Sequence, residues 1–222
     1  MKKQIIVVGL GRFGVSLTSN MLKMGHDVLA IDIDEQKVLG ASGQATHTVQ
    51  ADATNENVLR ELGAGNFDIG IVAIGTSIQN SVLATILLKK VGVPYVIARA
   101  SSSLHGEILD KVGADKVVYP EQQMGEMIAH ETVLGNISEY MMVVPGYGIT
   151  RLEAYPEFIG QSLFDIGVGP RGKLGVAVLI IQHGHDVIVT PDQNHIIKQG
   201  DVMILSGHDD KLTDFLFRTK KD

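Results

Sequence analysis

The chain has 222 residues, enough for one large domain or two small ones, and 45% of them are apolar against 20% charged, the balance of a globular protein that buries a core. Aromatics are only 5%, with no Trp, while Val, Ile, Leu, Ala and Gly abound, which suits parallel strands packed between helices. A net charge of −6 argues against a nucleic-acid partner, the lack of Cys excludes disulfides and thiolate catalysis, and no run approaches the roughly 20 apolar residues of a membrane span.

Residues 4–9 read as a buried strand. Past a glycine turn, Phe13, Leu17 and Met21 recur at helical spacing, and Gly25 ends that helix. A second strand at 26–33 leads into a short helix opened by Asp34-Glu35-Gln36-Lys37. A third strand covers 46–50, and Thr54 or Asn55 caps a helix ending near Gly63. A strand at 68–74 is followed by a helix that Ser77 caps and Gly92 ends. A fifth strand at 95–100, a helix at 103–113 and a sixth strand at 116–119, closed by Pro120, complete the series. This alternation predicts an α/β fold, a Rossmann-like doubly wound parallel sheet.

A helix at 121–134, with Met124, Met127, Ile128 and Leu134 on one face, closes this first domain, 1–134. After Gly135 the pattern turns strand-rich, at 140–144, 148–154, 176–182, 186–189 and 201–206, with a hairpin turn at His183-Gly184-His185 and a last helix over 209–217. A small α+β C-terminal domain, 135–222, is predicted.

The stretch VVGLGRFG, residues 7–14, carries the chemistry. Its glycines follow a strand and open a helix, and Asp32 ends the next strand about 20 residues on, the arrangement of a dinucleotide-type site. Gly9 permits the tight turn, Gly11 admits a phosphate to the backbone, and Gly14 lets helix and strand pack. The helix N-terminus offers free N–H groups to the anion. Asp32 accepts from ribose hydroxyls and repels a 2′-phosphate, which disfavours NADP.

Other strand ends converge on the same edge: Asp52-Ala53, Gly75-Thr76 with Ser77, and Arg99. Asp52 is placed to approach an adenine, and Thr76 and Ser77 a ribose or phosphate, although each is equally a helix cap or turn residue. Phe13, Ile33 and Ile74 flank these motifs and belong to the same expected site. Arg12 is the unusual member. Bridging phosphates need little beyond backbone N–H groups, whereas a guanidinium suits a terminal phosphate.

In their order along the chain, VVGLGRFG, AIDID, QADAT, IVAIGTSIQNS and VVYPEQQMGEMIA resemble the RCK (KTN) domain, the cytosolic regulatory subunit of Trk and Ktr potassium uptake systems. The stretches FIGQSLFDIGV and 175–215 resemble that family's smaller C-terminal domain. The resemblance implies homodimers assembled into an octameric ring beneath a potassium-translocating membrane subunit, cytoplasmic and on the inner face of the membrane. It implies ATP, ADP or NAD(H) in the Rossmann site, with ATP and ADP holding the ring in different shapes. It places Arg12 on the terminal phosphate of a neighbour's nucleotide and Asp32 on the ribose. It places Glu121 near the phosphates, where it helps to bind a divalent cation such as Mg2+. Some relatives bind cyclic di-AMP in the C-terminal domain. Arg171 lies near the matching place, but Gly169, Pro170 and Gly172 around it depart from the pattern and suit a surface loop.

Two other readings are an NAD-dependent oxidoreductase and a stand-alone nucleotide- or cyclic-dinucleotide-binding module. The first needs a general acid or base beside the nicotinamide, and no such motif is evident. His183, His185 and Asp186 suit a solvated hairpin tip better than a metal site. The expectation is a regulator, not an enzyme.

Overall fold

A computed structural model describes residues 2–134, 137–169 and 173–218. The chain divides into two compact units, residues 1–122 and 123–222.

In the first unit, β1 (Gln4–Val8) is buried from Ile5 to Val8, as a run apolar on both faces requires. The strands β2 (Asp27–Asp32), β3 (His47–Gln50), β4 (Ile69–Val72), β5 (Tyr95–Arg99) and β6 (Lys116–Val118) join it in the order β3-β2-β1-β4-β5-β6. Every pairing is parallel. The predicted doubly wound sheet is present, with its reversal of strand order between β1 and β4, where such sheets bind ligands.

Helices α1 (Arg12–Lys23), α2 (Glu35–Gly40), α3 (Glu56–Glu61), α4 (Ile78–Lys90) and α5 (Ser103–Lys111) alternate with the strands. Side chains settle where they start. Asp34, Asn55, Ser77 and Ser102 each accept a backbone N–H of the following turn, so Asn55 rather than Thr54 caps α3. One side of the sheet is packed by Ile6, Val8, Ile31, Leu59, Val72 and Leu88. The other carries Ile5, Val7, Val28 and Ile71 against Phe13, Leu17 and Met21 of α1. The sixth helix, α6 (Pro120–Leu134), follows β6 and contains the division between the units.

The second unit is a five-stranded sheet, β7 (Ile137–Val144), β8 (Tyr147–Glu153), β9 (Val176–His183), β10 (Asp186–Val189) and β11 (Asp201–His208), ordered β10-β9-β11-β8-β7. All its pairings are antiparallel. The last helix, α7 (Asp209–Arg218), supplies Leu212, Phe215 and Leu216 to a core that includes Leu152, Met203 and Leu205. A one-turn 3-10 helix, Pro156–Phe158, brings Phe158 to stack on Phe215 at 5.4 Å between ring centroids. Arg171 lies outside the described residues. No helix among the described residues is long and apolar enough to cross a membrane.

Candidate nucleotide-binding site

The carboxyl ends of β1, β2, β4 and β5 enclose a cavity of about 420 Å³, within the usual range for a small-molecule site. Its lining includes every predicted site residue but Gly14. Gly9, Gly11, Arg12 and Phe13 form one wall, Asp32, Ile33, Asp52 and Ala53 a second, and Ile74, Gly75, Thr76 and Ser77 a third. Arg99 and Glu121 complete the rim. Val8, Lys37, Ala51, Thr54, Ala73 and Asn80 also line it and were not among the site residues expected from the sequence.

The three glycines do different things. Gly9 has φ +100°, a left-handed conformation that favours glycine, and a Cβ there would press on the backbone of Ala73 and Ile74 at 3.1 Å. At Gly14 a Cβ would lie 1.9 Å from the Gly9 carbonyl oxygen. Gly14 therefore lets α1 pack on the turn and does not line the cavity, a packing role rather than a ligand contact. Gly11, in contrast, has extended backbone as the N-cap of α1, and nothing lies within 4 Å of a Cβ placed on it. The protein itself has no steric need for glycine there.

Asp32 is buried, and both its oxygens already serve the backbone. Oδ2 accepts from Leu10 N at 2.7 Å and Oδ1 from Asp34 N at 2.9 Å, so the carboxylate ties the glycine turn to the start of α2. Lys37 Nζ stands 3.6 Å from Oδ2. A carboxylate has about four acceptor sites, so room is left for hydroxyl donors. Asp52 Oδ1 accepts from Thr54 N at 2.9 Å and from Thr54 Oγ1 at 2.6 Å, which makes it a turn residue as well as a wall. Ser77 accepts from Asn80 N at 3.2 Å, capping α4 at the cavity edge.

The cationic side is built from Arg12 and Arg99. Arg12 is exposed at the first residue of α1 and has no ion pair among the described residues. Arg99 is largely buried and lies against Gly75, where a Cβ would meet its Nη1 at 1.6 Å. Its Nη2 donates to Glu121 Oε1, a pairing the sequence did not reveal. That contact holds the Glu121 carboxyl below the usual carboxylate range, opposed by partial burial and helped by the charge of Arg12. Behind Arg99, His105 is buried, and its Nδ1 accepts from Ser101 N at 3.2 Å. Burial, and then the Arg99 charge, push its pKa down and favour the neutral ring.

The TrkA-N domain family matches residues 5–120, more than half of the chain. The chain is also 41% identical over 206 residues to the Ktr system potassium uptake protein A of Bacillus subtilis (strain 168), covering 93% of this chain and 92% of that protein. The chain belongs to the TrkA-N family. Within it, it is a Ktr/Trk-type RCK regulatory subunit of potassium transport, not an enzyme. The oxidoreductase reading is thereby set aside. The Ktr system potassium uptake protein A of Vibrio alginolyticus is 32% identical over 214 residues, 96% of each chain. Among solved structures, the GsuK channel bound to NAD aligns with a TM-score of 0.61 at 17% identity, a likeness of fold. It covers 100% of this chain but 40% of that one, so the chain spans less than half of the channel protein.

Proposed function

We propose that this TrkA-N protein is the nucleotide-sensing subunit of a Ktr-type potassium uptake system, held at the inner face of the membrane by a potassium-translocating partner. It binds ATP or ADP in the cavity, and the two ligands hold an octameric ring of homodimers in different shapes. The smaller C-terminal unit is the second domain of that assembly.

One observation carries the reading. Gly11 has no neighbour and no strained backbone to explain it, yet it faces the cavity at the N-terminus of α1. An anion drawn to those N–H groups explains it, because a side chain would stand in its way. Arg12 and Arg99 on the same side favour a ligand with a charged terminal phosphate, hence ATP or ADP. NAD(H) is the second reading, supported by the NAD of the similarly folded channel.

Among the described residues, no three His, Asp or Glu side chains gather to hold a metal. A Mg2+ beside Glu121 would therefore take most of its ligands from phosphate and water, as Mg2+ commonly does. A ligand shifts a conformational equilibrium only through its different affinity for the two states. The γ-phosphate supplies that difference if Arg12 reaches it across a dimer.

Titration calorimetry with ATP, ADP and NADH tests the site. Asp32→Ala should weaken all three by about tenfold or more, as loss of a charged hydrogen-bond acceptor does. Unchanged binding would place the site elsewhere. Arg12→Ala should weaken ATP more than ADP, and equal losses would remove its terminal-phosphate role. Small-angle scattering that shows one ring shape with both nucleotides would overturn the gating scheme.

A further inference from the structure

Arg99 is anchored where a phosphate would arrive, but it is already engaged. Its guanidinium lies on Gly75, just past the carboxyl end of β4, so close that a Cβ there would meet Nη1 at 1.6 Å and the guanidinium would have to shift. Its Nε is buried and has no hydrogen-bond partner. The two terminal nitrogens are therefore the donors left for a ligand. Glu121 takes one of them, Nη2, from the solvent side, with its own side chain 66% exposed. A phosphate that reaches this edge meets a paired guanidinium, and a two-pronged contact with Nη1 and Nη2 requires the carboxylate to leave.

We propose that Glu121 is a built-in competitor for the anionic end of the ligand, occupying Arg99 in the ligand-free chain and giving way when phosphate binds. This rests on the nucleotide reading of the cavity and adds a threshold to it. While the pair is closed, Glu121 offsets the charge of Arg99, and of these three residues Arg12 has no ion pair among the described residues. Once the pair opens, the charge of Arg99 attracts phosphate as well. A ligand without phosphate does not displace Glu121, so the pair weakens phosphate-bearing ligands alone, and most of all the weakly charged ones that compete poorly with a carboxylate. In the closed pair the Arg99 contact, and then the charge of Arg12, favour the ionised carboxylate.

The test is calorimetry on the full chain, with ADP and adenosine as probes in buffer containing EDTA. Glu121→Gln should bind ADP about fivefold more tightly than the wild type, the scale of one exposed ion pair, and bind adenosine equally well. Glu121 is exposed, so the variant should fold normally. Equal or weaker ADP binding by Glu121→Gln would overturn the competition. A crystal structure of the wild type with ADP separates competition from simple repulsion. In it Arg99 should have turned from Glu121 to a phosphate, and an intact pair beside bound ADP would refute the exchange. If the wild type binds neither adenosine nor ADP, the nucleotide reading itself fails and the competition falls with it. If it binds ADP and the variant binds no more tightly, the competition alone falls.

Discussion

At Gly14 a Cβ would overlap the Gly9 carbonyl oxygen at 1.9 Å, and both partners are backbone that cannot step aside. At Gly11, two residues into the same turn, a Cβ would meet nothing. The two positions should therefore separate stability from binding. Gly14→Ala should cost about 1–3 kcal/mol of stability in urea unfolding, the usual penalty for overpacking. Gly11→Ala should cost no more than about 1 kcal/mol, the loss of a tolerated N-cap, yet weaken ADP about tenfold or more. If Gly11→Ala binds ADP normally, the open space at that turn is not a phosphate seat. The glycine pattern and Asp32 were legible in the sequence because short-range geometry determines them. The partners of Arg99 were not. Gly75 and Glu121 come from other elements, and no local spacing records that a guanidinium lies on one and pairs with the other.

Element boundaries depend on caps, and one carboxylate outside any helix joins three elements. Asp115, just before β6, accepts from Val96 N of β5 at 2.6 Å and from Lys89 Nζ of α4 at 2.9 Å. Lys89 also donates to the Pro94 carbonyl at 3.0 Å, so the link closes around the start of β5. The Lys89 contact and then the Val96 N–H hold the Asp115 carboxyl below its ordinary value of 3.8. A depressed folded pKa stabilises above the unfolded value and loses that contribution as pH falls through the folded one. Asp115→Asn should thus cost about 1–3 kcal/mol in urea unfolding at pH 7, and the gap to wild type should shrink below about pH 4. The same gap at pH 7 and pH 3 would show that charge contributes nothing there.

At this scale the first unit was readable because hydrophobic period and capping residues agreed. The stretch 159–169 was not. Leu163 and Val168 are buried, but the backbone turns at Gly160, Gly167 and Gly169, all at positive φ, and irregular chain has no period to read.

Among the described residues, the first unit lines the candidate cavity and the second lines none of it. Every described residue that lines the cavity falls between Val8 and Glu121, within the first unit. The second unit has its own core, from Tyr140 to Leu216. A ligand stabilises what it binds by RT ln(1 + [L]/Kd), about 2.7 kcal/mol when the free ligand is 100 times Kd. That energy should enter the exchange of amides around the cavity and leave the second unit's own opening unchanged, provided the oligomeric state is held constant. Hydrogen exchange with saturating ADP should slow at residues 7–14, 31–34, 52–54 and 73–77, and near Arg99. In β8, β9 and β11 the rates should match those of the ligand-free protein. If the second unit gained as much protection as the first, the two units would be opening as one cooperative block and not separately.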